Sequence, residues 1–249
     1  MKKIISLLLA LVLLLAALTA FTSCSGVSKD ATVQMRHINA MFETLVPTES
    51  VTTTTQKIGT LTLTSVATLT VGTLDGSKGA TYINEYEQLA PLDGSTNASL
   101  VQSKVQKLWY VEGKGLCKNG NGKWIADGED FRPKAGDVKI SLTANMLDTA
   151  EYDAASETFV ATMDKDNANK LLSKFLPEEQ EISSGLTMTV VTAGGRVTVL
   201  KLEYTEPSHD IFIGEEGEEK TDKNVVTIPE ALVTVEIHYS YDAKVITLN

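Results

Sequence analysis

The chain has 249 residues, and 32 Asp and Glu against 22 Lys and Arg give it a net charge of −10. This length suits one large domain or two small ones. The acidic balance argues against a nucleic-acid-binding protein, because phosphates attract Lys and Arg, and against a broad basic face that rests on anionic lipid.

The N-terminal residues predict a secretory signal. Lys2 and Lys3 precede an apolar run over residues 4–21, and small polar residues follow at 22–26. Cys24 at this exit resembles the lipobox of bacterial lipoproteins. The resemblance implies that residues 1–23 are removed and that Cys24 is acylated with a palmitate-type lipid. The mature chain would then be anchored to the bacterial cell membrane on its extracytoplasmic side.

Two other interpretations of the N-terminus stay open. The apolar run has about 18 residues, which approaches the length that spans a bilayer, so it could be an uncleaved membrane anchor. Ordinary signal peptidase could also cleave nearby and leave no lipid. All three interpretations place the residues after about position 26 outside the cytoplasm.

Residues 24–30 are predicted to be a short tether, and 31–249 a single domain without an internal linker. Two helices are expected, because apolar residues recur three and four positions apart and a proline follows each segment. They cover 31–46, before Pro47, and 164–176, before Pro177. Residues 141–147 are a candidate for a third, short helix.

Alternating polar and apolar residues predict strands in most of the remaining chain. The clearest case is the Thr-rich segment 51–73, whose apolar side chains share one side: Leu61, Leu63, Ala67, Leu69 and Val71. Further strands are predicted at 81–89, 105–111, 186–190, 197–204, 231–239 and 245–248. The Asn-Gly turn at 119–122 is a strong hairpin signal.

One of these strands changes phase. Val197 and Val199 share one parity, whereas Leu200, Leu202 and Tyr204 have the other. Either a β-bulge or a strand that is buried on both faces would explain the change.

Closely spaced strands joined by hairpin turns predict an antiparallel meander rather than β-α-β units. The amphipathic helices need an apolar surface to cover. The predicted fold is therefore α+β, with a single strongly curved antiparallel sheet (a half-barrel) and two or three helices on its concave face.

This order of elements resembles the LolA/LolB-like half-barrel of bacterial envelope lipoproteins and lipid carriers. The resemblance covers most of the mature chain and is carried by residues 31–46, 108–111, 120–124, 164–176 and 237–241. It implies an apolar cavity between sheet and helices that holds a lipid or another hydrophobic ligand, without catalysis. The candidate lining residues are Leu61, Leu63, Leu69, Trp109, Trp124, Phe159, Leu172 and Phe175.

The sequence presents no catalytic or metal-binding motif, so no catalytic residue, metal or cofactor is predicted. With Cys24 acylated, Cys117 has no partner for an internal disulfide or a Cys-pair metal site. The acidic residues at 215–222 lack the alternating pattern of an EF-hand and are expected in a solvated loop.

Two other classes of function stay open. A structural or interaction module of the cell envelope would use the same sheet without a ligand cavity, and the loop 206–223 would contact a protein partner. A hydrolase could use a pair of the many carboxylates, although no spacing singles out a pair.

Overall fold

The computed structural model describes residues 26–27, 29–74, 76–91, 98–118, 123–125, 140–173, 182–212 and 225–247. The predicted signal, Cys24 and most of the acidic loop lie outside these ranges.

Most described elements are strands. The first half contains β1 (Gly26–Val27), α1 (Lys29–Glu43), β2 (Glu49–Ile58), β3 (Leu61–Leu74), β4 (Ser77–Pro91), β5 (Ala98–Val111), β6 (Gly115–Lys118) and β7 (Trp124–Ile125). The second half contains a 3₁₀ turn (Ala144–Met146), β8 (Thr149–Asp153), β9 (Thr158–Met163), α2 (Lys165–Leu172), β10 (Leu186–Ala193), β11 (Arg196–Glu206), β12 (His209–Phe212), β13 (Val225–Ile228) and β14 (Ala231–Ser240).

Twelve strands form one open sheet in the order β1-β8-β9-β10-β11-β14-β2-β3-β4-β5-β6-β7. The eleven strands from β8 to β7 pair antiparallel, and β1 adds to β8 in parallel. β14 joins the two halves, because it pairs with β11 on one side and with β2 on the other. β12 and β13 form a separate hairpin.

The predicted α+β class, with two or three helices on a concave face, is wrong. The described residues form a mostly β fold with two α-helices, and the segment predicted as a third helix makes only the 3₁₀ turn. The physical reason is strand length. β2 to β5 have 10 to 15 residues each, so their backbone ladder builds one extended sheet.

Directly paired residues point to the same face of a sheet. On this rule one face, here named the helix face, carries a row of mutually paired residues from β9 to β4: Phe159, Val190, Leu200, Ile237, Thr52, Ala67 and Asn84. The opposite face carries the alternating residues.

The main core lies between the helix face and the two α-helices. α1 packs against β8, β9 and β11, and its Ala31, Ile38 and Phe42 are at most 1 % exposed. Leu171 and Leu172 of α2 belong to the same core. Each large apolar side chain buried in this way stabilises the fold by roughly 1.5–3 kcal/mol.

A second, smaller core lies on the opposite face near the other end of the sheet. Leu74, Trp109, Val111, Cys117 and Ile246 are buried in it, and Trp124 packs against them. Ile246 belongs to the C-terminal segment, residues 244–247, which runs beside β3. Two backbone hydrogen bonds hold this segment, from the Thr73 amide to the Lys244 carbonyl (3.2 Å) and from the Ile246 amide to the Thr73 carbonyl (2.8 Å).

The phase change in β11 is a β-bulge. Val191 pairs with Val199 and Thr192 pairs with Val197, so Thr198 is the extra residue. Its hydroxyl donates to the Val191 carbonyl oxygen (3.1 Å). The bulge lets Val197 and Leu200 face the same core, which confirms the first of the two explanations.

Candidate functional site

The helix face continues across β3, β4 and β5 as a surface of mainly apolar side chains, here named the apolar strip. Its members follow from direct pairing with residues of the helix face. The strip consists of Leu61, Leu63, Ala67, Leu69 and Val71 on β3, Ala80, Tyr82 and Tyr86 on β4, and Leu108 and Tyr110 on β5.

Most side chains of the apolar strip are only half-buried. Leu63, Ala80 and Leu108 are buried, and the other members keep intermediate exposure. This differs from the centre of the main core, where Phe159, Val190 and Leu200 on the same face are 0 % exposed. The strip is therefore an apolar surface without the complete cover that the helices give to the other half.

Polar side chains interrupt the strip at its centre, because Ser65, Asn84, Gln106 and Lys104 share its face. The Ser65 hydroxyl donates to the side-chain carbonyl oxygen of Asn84 (3.0 Å). The bond satisfies both groups at the centre of the surface. Apolar side chains extend from this pair in both directions along β3, with Leu61 at one end and Val71 at the other.

The strip is long and narrow. Residues two apart on one strand are about 6.6 Å apart, so Leu61 and Val71 are separated by about 33 Å. Neighbouring strands lie about 4.8 Å apart, so the strip is about 10 Å across where all three strands carry apolar side chains, in the rows that contain Leu69 and Val71.

The predicted site residues separate into three groups. Leu61, Leu63 and Leu69 lie together on the apolar strip. Phe159 on the helix face and Leu172 of α2 lie in the main core, where they are 0 % and 2 % exposed. Phe175 lies outside the described residues.

Trp109 and Trp124 form the third group, on the opposite face. Both pair with Cys117 and pack in the second core. The indole nitrogen of Trp109 donates to the Thr247 carbonyl oxygen (3.2 Å). The structure therefore does not bring the tryptophans together with the leucines of the strip.

Sequence reasoning missed the three tyrosines of the strip. Tyr82 and Tyr86 alternate with Ile83 and Glu85 in β4, so a period-two pattern was present. Assigning that pattern to the strip requires the pairing of Tyr82 with Leu69, which links residues of two strands.

A buried carboxylate lies on the helix face at the end of β11. Glu206 is 5 % exposed, and the amide nitrogen of Gln56 donates to it (2.9 Å). Burial raises the pKa of Glu206, and the Gln56 hydrogen bond and the charge of His209 oppose that shift. Burial, together with the charge of Glu206, also raises the pKa of the neighbouring Tyr204.

Glu206→Gln is expected to stabilise the protein at pH 7. A raised pKa means that the folded state binds the proton more tightly, so the wild type loses stability as pH rises above the ordinary value of 4.5. Glutamine stays neutral and still offers Gln56 an oxygen acceptor. The melting temperatures of the wild type and of Glu206→Gln, measured from pH 3 to 8, should be equal below pH 4.5. At pH 7 the variant should melt a few degrees higher. Parallel curves over the whole range would contradict this.

No group of three or more His, Cys, Asp or Glu in the described part of the chain is arranged to hold a metal ion. Among the helices of the same ranges, none is long and apolar enough to cross a membrane.

Comparison with protein-family models finds no match, and comparison with curated proteins finds none either. Two solved structures are similar to this chain. A Vibrio parahaemolyticus domain described as an outer membrane lipoprotein-sorting protein is 13 % identical, with 86 % of this chain and 92 % of that chain covered and a TM-score of 0.25. A DUF1329 family protein from Desulfovibrio piger is 9 % identical, with coverages of 87 % and 96 % and a TM-score of 0.23.

TM-scores this low do not establish a shared fold, so what this protein does has to be inferred from its own residues.

Proposed function

We propose that this protein is a membrane-anchored extracytoplasmic lipoprotein that binds a lipid or another hydrophobic ligand without catalysis. The observation that supports this proposal is the apolar strip. α1 packs on β8, β9 and β11, whereas the strip lies on β3 to β5 and keeps most of its apolar side chains half-buried. Large apolar surfaces of this kind usually bind a ligand or a partner.

The dimensions of the strip favour an acyl chain. The hydrocarbon core of a bilayer is about 30 Å thick, so one acyl chain extends about 15 Å. The strip is about 33 Å long on β3 and about 10 Å wide at its Leu69–Val71 end, so it has room for such a chain. Tyr82, Tyr86 and Tyr110 add aromatic rings whose hydroxyl ends tolerate water, as expected at the border of a lipid site.

This proposal moves the ligand away from the position expected between sheet and helices. Phe159 and Leu172 fill that space as ordinary core residues. The leucines of β3 keep their proposed role.

The anchor is the second part of the proposal. β1 begins at Gly26 and pairs with Thr149 of β8. If Cys24 is acylated, a single residue, Ser25, separates the lipid from the edge of the sheet. The β8 edge would then be held close to the membrane surface.

Leu69→Arg is expected to weaken binding of a fluorescent fatty acid, cis-parinaric acid, by about tenfold or more. A buried guanidinium without a partner is costly in an apolar site. Val66→Arg is the matched control, because Val66 is half-buried on the same strand but pairs with Thr53 and Glu85 on the opposite face. Equal melting temperatures of the two variants would exclude misfolding as the cause.

Native mass spectrometry of the protein extracted from membranes tests the same proposal without a probe. A co-purified lipid is expected in the wild type and in Val66→Arg, and its loss is expected in Leu69→Arg. The intact mass also shows whether the chain begins at an acylated Cys24. No lipid in any sample and equal binding by both variants would favour the structural or interaction module.

A further inference from the structure

The sheet has an open edge at β5. β4 pairs with β5 along its whole length, from Val111 to Ala98, whereas β6 pairs with β5 only from Val111 to Leu108. No other described strand pairs with residues 98–107. This part of β5 is therefore an edge strand, which presents a row of backbone donors and acceptors that another chain can pair with.

The hydrogen bonds at the end of β5 show which residues form this row. The Val111 carbonyl oxygen accepts from the Lys114 amide (3.0 Å) in the β5–β6 turn, so the backbone groups of Val111 point away from β4. β5 keeps one register with β4 from there through residue 100, and the direction of the backbone groups alternates along a strand. The amide and carbonyl groups of Ser103, Val105 and Lys107 therefore point away from β4 as well.

The open edge is accessible to a partner. Ser103, Lys104, Val105 and Gln106 are all exposed, and the exposure of Val105 reaches 56 %. Since consecutive residues of a strand point to opposite faces, solvent reaches both faces of the sheet there. The outward backbone groups of Ser103, Val105 and Lys107 form no backbone hydrogen bond with the described residues.

The same end of the sheet is basic, although the chain as a whole has a net charge of −10. Residues 104–123 contain a single acidic residue, Glu112, and five lysines: Lys104, Lys107, Lys114, Lys118 and Lys123. Lys104 and Lys107 belong to the open edge itself and lie on opposite faces of the sheet. Neither forms an ion pair with a described residue. These charges favour an acidic partner.

Charge and backbone together select among the possible occupants. A second copy of this chain would bring two sets of edge lysines together, and like charges on paired strands are destabilising. An anionic lipid surface would attract the lysines but offers no regular row of amides and carbonyls. An extended polypeptide offers both, because its backbone groups repeat at the spacing of Ser103, Val105 and Lys107.

We propose that the open edge of β5 is a docking site for an extended, acidic segment of a partner protein, which adds to the sheet as a further strand. The segment exchanges backbone hydrogen bonds with Ser103, Val105 and Lys107. Its carboxylates lie opposite Lys104 and Lys107, with an apolar side chain between them opposite Val105. This interaction goes beyond lipid binding and does not depend on it.

The test uses a fluorescein-labelled synthetic peptide, ETVETVTT, and the full chain in phosphatidylcholine nanodiscs. In an antiparallel pair the first glutamate of the peptide lies opposite Lys107 and the second opposite Lys104, and the valine between them lies opposite Val105. The peptide QTVQTVTT has the same backbone and no glutamate, so it serves as the matched control.

Hydrogen exchange of individual backbone amides, followed by NMR, tests strand addition directly. In the absence of peptide the amides of Ser103, Val105 and Lys107 should exchange rapidly, whereas those of Lys104 and Gln106 point to β4 and should exchange slowly. ETVETVTT at ten times its dissociation constant should slow the three outward amides by about tenfold. Binding that leaves these three amides unprotected would overturn the proposal.

Fluorescence anisotropy tests the charges. The double variant Lys104→Glu, Lys107→Glu should weaken ETVETVTT by about tenfold or more, because two attractive cross-strand pairs become repulsive. It should bind QTVQTVTT within about twofold of the wild type, and equal melting temperatures would exclude misfolding. Equal affinity of the wild type and the double variant for ETVETVTT would overturn the acidic partner.

Val105→Pro tests the backbone without altering the charges. Proline is tolerated on an edge strand where the missing N–H points away from the neighbouring strand, so the melting temperature should change little. Peptide affinity should fall by about tenfold, because an outward donor is lost and the ring obstructs the added strand. Gln106→Pro is the matched control for the fold, since it removes an amide that points to β4 and should lower the melting temperature. Unchanged peptide binding by Val105→Pro would rule out strand addition.

Two measurements address the other occupants. Native mass spectrometry of the full chain in detergent should show a monomer, and a dimer that Val105→Pro dissociates would assign the edge to a second copy. Flotation with phosphatidylglycerol vesicles should not recover the nanodiscs. Recovery that requires Lys104 and Lys107, without binding of ETVETVTT, would assign the basic end to a lipid surface. Either result would overturn the proposal, and neither bears on the fatty-acid binding of the apolar strip.

Discussion

Phe159→Ala is expected to lower the free energy of unfolding by about 3–5 kcal/mol, the usual cost of truncating a fully buried aromatic residue. Phe159 is 0 % exposed. It pairs with Val190 on one side and with Tyr152 on the other, beneath the helices. The alanine variant loses the transfer free energy of the ring and leaves a cavity that the two flanking strands cannot close.

Urea unfolding measures this cost, and Leu61→Ala is the informative comparison. Both residues were candidates for a ligand cavity, but Leu61 is half-buried on the apolar strip. Its truncation should cost about 1 kcal/mol or less, because part of the side chain already contacts water. Similar costs for the two variants would show that Phe159 borders a hollow space, and the ligand site would then return to its originally expected position.

The alternation in the Thr-rich segment predicted the leucines of the strip correctly. Leu61, Leu63 and Leu69 share a face because side chains alternate strictly along a strand. The same pattern concealed a hairpin, since the segment 51–73 contains most of β2 and most of β3. Gly59, in the left-handed region at φ 59°, makes the turn, and it was the signal for that hairpin.

The two tryptophans show where period-two reasoning fails. Leu108 and Tyr110 alternate with Trp109 and Val111, so both parities of β5 are apolar. The sequence alone then leaves the face undetermined. Long-range pairing decides it, because β4 aligns Leu108 with Tyr82 and places Trp109 on the other side.

The extent of the helix cover could not be predicted either. It depends on β14 pairing with β2, whose partner residues are 175 to 191 positions apart in the chain, from Leu232 with Lys57 to Ser240 with Glu49. An amphipathic pattern predicts that one face of a helix is buried, but it does not predict which strands that face packs against. The prediction that helices lie across the whole concave face was wrong because the sequence does not show which strands the helices cover.

Gly72→Ala is expected to detach the C-terminal segment from β3. A Cβ atom at position 72 would overlap the backbone carbonyl oxygen of Lys244, and backbone cannot move aside as a flexible side chain can. The segment would lose its two backbone bonds to Thr73 and its bond to the Trp109 indole, and Ile246 would become exposed. We expect the free energy of unfolding to fall by about 2–4 kcal/mol, because the variant exposes one buried isoleucine and breaks several hydrogen bonds.

Alkylation of Cys117 reports this detachment directly. The thiol is 0 % exposed in the second core, beside Ile246, so its reaction with iodoacetamide should accelerate when the segment leaves. Gly76→Ala is the matched control, because Gly76 has a φ of 78° but no atom within 4 Å of an added Cβ. It should cost only about 1–2 kcal/mol of backbone strain and leave the thiol protected. If Gly72→Ala behaves like Gly76→Ala in both stability and labelling, the C-terminal segment does not close the second core.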